Sequence, residues 1–73
     1  MTSSFKLLDS VALLADMPSK KLVKGCVGTI VEILDDDIFL VEFAEATGET
    51  IAFLELAPSQ IMKLYFEKQL EVV

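Results

Sequence analysis

Three apolar runs separated by short turn-forming segments constrain this chain more than any other feature: VGTIVEIL from Val27, FLVEFA from Phe39 and TIAFLEL from Thr50. Each is rich in Val, Ile, Phe and Thr, whose branched or aromatic side chains suit a pleated, half-buried surface. Runs this short, punctuated by Asp35, Asp36 and Asp37 and then by Glu45-Ala46-Thr47-Gly48, read as successive strands of an antiparallel meander. Side-chain parity sets the register. With Val27, Thr29, Val31 and Ile33 on one face beside Phe39, Val41 and Phe43, the aspartates form a three-residue loop. Ile33 then opposes Phe39, Val31 opposes Val41 and Thr29 opposes Phe43. A two-residue loop would set inner residues against outer ones, and a five-residue loop would press Glu32 against Glu42. Asp also tolerates the left-handed conformation that the last position of such a turn favours. The second turn reads as a four-residue connection with Gly48 at positive φ, setting Phe43 against Thr50, Val41 against Ala52 and Phe39 against Leu54. The expected core face is Thr29, Val31, Ile33, Phe39, Val41, Phe43, Ala52, Leu54 and Leu56.

Ahead of the meander, residues 5–14 (FKLLDSVALL) read as a short helix or turn followed by a strand. Pro18 breaks any helix between Asp16 and Lys21 and opens an exposed, partly basic loop. Leu22 and Val23 return to the apolar part. After the meander, Ala57-Pro58-Ser59-Gln60 is a tight turn and IMKLYF a further short strand. A strand, a long loop, three meandering strands, a tight turn and a last strand is the order of a small SH3-like barrel. The fold class is therefore all-β: an SH3-like antiparallel barrel of about five strands with a short N-terminal helix or turn. With 73 residues and no repeat or linker, the chain makes one domain, 1–73, of which 67–73 is a C-terminal extension. At this size a single core only just outweighs chain entropy.

The segments LLDSVALL, KGCVGTIVEIL, VEF, Gly48 and FLELAPSQI resemble a group of small bacterial domains of unknown function, frequent in cyanobacteria. The resemblance spans residues 7–64, and its strongest element is G-x-V-G-T-I-V-E followed by V-E-F. It implies an SH3-like barrel, brings no catalytic residues with it, and suggests antitoxin-like pairing with a neighbouring small protein. Residues 67–73 lie outside it.

Charge and composition narrow the function classes. Twelve acidic residues against six lysines, with no arginine, give a net charge of −6. That balance disfavours nucleic acid and anionic membranes, where binding comes mainly from cations, and it suits a basic partner. At 53% apolar residues the chain is too hydrophobic for disorder. No apolar run approaches the ~20 residues of a membrane span. MTSSFKLLDS lacks the features of a secretory signal, so the expected compartment is the cytoplasm. Cys26 has no disulfide partner in the chain and reads as a buried, inert thiol. Without histidine there is no Ser-His-Asp, Cys-His or imidazole–metal arrangement, and no glycine-rich nucleotide motif occurs. No catalytic, cofactor or metal site is expected. The aspartate run lacks the alternating ligands, glycine bend and distant glutamate of a calcium loop, which leaves it as a turn.

The outer face of the meander is more apolar than a solvated sheet face. In the register above, Glu32, Leu40 and Phe53 form one row, and Ile30, Glu42 and Ile51 another, with Leu34, Ile38 and Glu55 around them. Such a face calls for a cover, from residues 5–14, from the C-terminal tail or from a partner. The candidate partner-binding residues are Ile30, Glu32, Leu40, Glu42, Ile51, Phe53 and Glu55. The expected function is a non-catalytic protein-binding module, antitoxin-like or accessory, that takes a basic protein partner on an apolar face with an acidic rim. The alternative is a homo-oligomeric structural or accessory subunit joined through the C-terminal strand and sheet edge. There Tyr65, Phe66, Leu70, Val72 and Val73 are more apolar than a free terminus needs. A nucleic-acid-binding barrel ranks third, with only Lys20, Lys21 and Lys24 clustered against twelve acids.

Overall fold

The apolar runs do form strands. The computed structural model describes residues 5–45, 47 and 49–65. Its five strands are β1 (Ser10–Leu13), β2 (Val27–Asp35), β3 (Ile38–Ala44), β4 (Thr50–Leu56) and β5 (Ile61–Lys63). They make one antiparallel sheet in the order β4-β3-β2-β1-β5. A long loop joins β1 to β2, and a 3-10 turn, Pro58–Gln60, joins β4 to β5. This is the SH3-like arrangement, in which β2 belongs to both halves of a strongly coiled sheet.

The segment leading into β1 and the loops are tied down by local chemistry. At the start, residues Leu7 and Leu8 turn, with Leu8 left-handed at φ 71, and the Asp9 carboxylate accepts the Lys6 N–H at 2.8 Å. The long loop contains a second 3-10 turn, Pro18–Lys20, closed by the paired residues Met17 and Leu22. Leu22 is its anchor in the core, and the lysines around it are exposed. In the β4–β5 turn, Gln60 folds back so that its side-chain oxygen accepts the Ala57 N–H at 2.8 Å.

Inside the coil lie Val11 and Leu13 of β1, Leu22, Ile30 of β2, Phe39, Val41 and Phe43 of β3, Leu54 and Leu56 of β4, and Ile61 of β5. Phe5 packs on this cluster, its ring tilted against Phe39 at 5.4 Å between centroids. Burying an aliphatic or aromatic side chain contributes about 1.5–3 kcal/mol, which makes this set the dominant stabilising term of so small a domain.

The β2–β3 register departs from strict parity at two places. Glu32 opposes Leu40 and Ile33 opposes Phe39 as the pattern requires, but Ile30, not Val31, opposes Val41, and Gly28, not Thr29, opposes Phe43. Val31 is the extra residue of a bulge. Ile30 is thereby fully buried, Thr29 and Val31 are half-buried, and Ile33 is 47% exposed. Glycine explains the choice. A Cβ at Gly28 would stand 2.8 Å from the Glu42 carbonyl oxygen and 2.9 Å from the Phe43 ring. Only glycine fits against Phe43, so the neighbouring Thr29 is turned outward. A bulge also bends and twists the strand, which a closing coil needs.

The second departure is at the aspartates. Asp35 still belongs to β2 and opposes Ile38, leaving Asp36 and Asp37 as the turn and Leu34 as the extra residue of a second bulge. None of the three has positive φ; among the described non-glycine residues only Leu8 and Lys21 do. The Asp36 N–H donates instead to the Asp35 carboxylate at 2.7 Å.

Between β3 and β4 the register lies two residues beyond the expected one: Phe43 opposes Ala52, Val41 opposes Leu54 and Phe39 opposes Leu56. An even shift preserves faces, so Leu54 and Leu56 are buried and Ala52 half-buried on the expected side. The shift lengthens the connection, which closes through Glu45 N–H to the Glu49 carbonyl at 2.9 Å, with Ile51 as an extra residue beside Thr50. The expectations for Gly48 and for the tail beyond Tyr65 lie outside the described residues.

Candidate partner-binding face

The corrected registers rebuild the outer face. Leu40 sits between Glu32 on β2 and Glu55 on β4. Glu42 sits between Thr29 on β2 and Phe53 on β4, and Ser10 of β1 continues that row beyond Thr29. Leu40 and Phe53 are thus on adjacent rungs, diagonal to one another, each with a glutamate beside it. Six of the seven expected residues share this region. Ile30 does not: it belongs to the core, because the bulge at Val31 turns it inward.

Exposure grades across the face. Leu40 and Glu42 in the central strand are half-buried, while Glu32 and Glu55 on the flanking strands are exposed. Phe53 is 55% and Ile51 45% exposed. The Thr50 hydroxyl donates to the Glu42 carboxylate, holding that glutamate beside Phe53. Thr29, Ser10 and Thr50 were not among the expected residues. A threonine placed in a core row beside a glycine was the available signal that the parity changes there.

Residues 5–14 do not cover the face. β1 runs along β2, and Phe5 packs on the core side against Phe39. Cys26 is a free, half-buried thiol packed against the core. Among the described residues no group of acidic and cysteine side chains is placed to hold a metal ion, and no helix is long and apolar enough to cross a membrane. A cleft lined by Leu13, Ala15, Asp16, Met17 and Gln60 has a volume of ≈ 80 Å³. That is well below the ~300 Å³ at which small-molecule pockets begin.

The electrostatics are lopsided. Residues 25–62 contain eight of the twelve acidic residues and none of the six lysines. Lys20, Lys21 and Lys24 are in the long loop, and Lys63 on β5 pairs with Asp9 at 3.2 Å. The meander therefore projects one sign of charge around Leu40 and Phe53.

The model of one protein family, a domain of unknown function (DUF4926), matches residues 7–63. The chain belongs to the DUF4926 family. The match runs from the N-terminal turn to the last residue of β5, so both rows of the outer face and both bulges lie inside the DUF4926 domain. No curated protein and no solved structure matches the chain.

Proposed function

We propose that this DUF4926 domain is a non-catalytic protein-binding module of the cytoplasm that captures a basic partner protein, with antitoxin-like neutralisation of a companion protein as its concrete form. The reading is supported by one observation above the rest: two large apolar side chains, Leu40 and Phe53, stand in a sheet face whose only charges are carboxylates. A chain gains no stability from concentrating like charges around exposed apolar groups. A basic partner turns both into binding energy, with charge speeding encounter and the buried apolar centre slowing dissociation.

The test is co-expression with the products of neighbouring genes, followed by copurification. Leu40→Asp and Phe53→Asp each replace an apolar contact by a like charge, and each is expected to weaken a complex by about 2 kcal/mol or more, roughly thirtyfold, while leaving the fold intact by circular dichroism. A complex that survives both substitutions rules the face out.

A further inference from the structure

The two edges of the sheet are built differently. β5 is three residues long and carries Lys63, whose ammonium pairs with Asp9 and lies 5.2 Å from the centre of the Tyr65 ring. A short, charged edge is a poor template for further pairing. β4 is seven residues long, contains no lysine or proline, and is regular from Ala52 to Leu56 along its inner neighbour β3. Among the described residues its protective devices are the extra residue Ile51 at one end and the exposed Glu55 carboxylate, which repels acidic strands but not basic ones. No described strand lies on its other side.

We propose that the outer edge of β4 is where the partner docks, by adding an extended segment of its own as a further strand. This rests on the protein-binding reading above and gives it a mode. The surroundings of β4 specify the segment's chemistry. On the outer side the new strand lies beside Phe53 and Glu55, with Glu42 one strand further in. Basic side chains there meet two carboxylates and place an ammonium over an aromatic ring. On the inner side it lies beside Ala52 and Leu54, at the rim of the core, where apolar side chains extend the buried surface. The occupant is therefore a segment alternating basic and apolar residues, held by main-chain hydrogen bonds that are indifferent to sequence.

A capped peptide of alternating lysine and valine, about eight residues long, is the probe. On binding, alternate amides of β4 between 52 and 56 gain hydrogen-exchange protection, and Glu55→Lys weakens Kd several-fold. N-methylation of every second peptide residue, which removes the main-chain donors and keeps the charge, weakens Kd by about tenfold or more. Three results overturn the proposal: the peptide fails to bind, the N-methylated peptide binds within about twofold of its parent, or the outward β4 amides are already protected in the free chain. The third means that another part of the chain or a second copy holds the edge. The two readings fail separately. Capture of a companion protein that is lost in Phe53→Asp but unaffected by blocking the edge removes the strand-addition mode alone, and capture unaffected by Leu40→Asp and Phe53→Asp removes the face itself.

Discussion

The β1–β5 side of the sheet and the β3–β4 side handle charge in opposite ways. On the first, both signs of charge are present and Asp9 pairs with the Lys63 ammonium at 3.2 Å, while the Asp16 carboxylate accepts the neutral Lys24 main-chain N–H at 2.7 Å. On the second, from residue 25 to 62, every charge is a carboxylate, and the described hydrogen bonds to them come from neutral groups, the Thr50 hydroxyl on Glu42 and the Asp36 N–H on Asp35. Local pairing serves the stability of the chain that contains it. Unrelieved charge of one sign costs a little stability, which under the proposed protein-binding reading a basic partner offsets.

The sharpest way to break this comparison is through the bulge that sorts β2 into an inner and an outer set. Ile30→Ala is expected to destabilise by about 2–5 kcal/mol, and Val31→Ala by less than about 1 kcal/mol, in urea unfolding. The reverse order would restore the uniform register and put Ile30 back on the acidic face. Next in size is Gly28→Ala. Its new Cβ would overlap the Glu42 carbonyl and the Val41 and Phe43 side chains, costing about 1–3 kcal/mol. A neutral result would mean that β2 and β3 are not so closely apposed.

Smaller effects separate the two sides directly. Lys63→Met removes a largely buried pair and is expected to cost about 1 kcal/mol, less at high salt. Glu55→Lys relieves repulsion and is expected to raise stability by a few tenths of a kcal/mol at low salt. If thermal melts show both substitutions destabilising alike, the acidic side is stabilised by its charges and the functional reading loses its basis. The smallest effect is expected at the turn: Asp36→Asn should change stability by less than about 0.5 kcal/mol, whereas inserting a residue beside it should disturb the strands on either side.

Much of this architecture could be read from the chain. The all-β order, the long first loop, the turn at Pro58 and the inward faces of β3 and β4 follow from where the branched and aromatic residues recur and where proline and the acidic turns interrupt them. Periodicity of two is a local property, so β3, with Phe39, Val41 and Phe43 in and Leu40 and Glu42 out, was legible residue by residue. β2 was not. Its run Ile30-Val31 offers two adjacent apolar residues for one inner position, and parity alone takes the wrong one. The β3–β4 register was also underdetermined, because a slip of two residues leaves every side chain on the same face.

The chain by itself thus determined which segments are strands, which faces of β3 and β4 are apolar, and that a long stretch of it carries one sign of charge. These depend on residue type and spacing alone. Tertiary structure decided which residues stand side by side: Gly28 under Phe43, Ile30 inside, Glu55 beside Leu40 and Phe53 beside Glu42. The physical reason is steric. A coiled sheet must bend somewhere, it bends by bulges, and the one at Val31 follows from how closely β3 approaches Gly28 on β2, a distance that exists only once the strands have met.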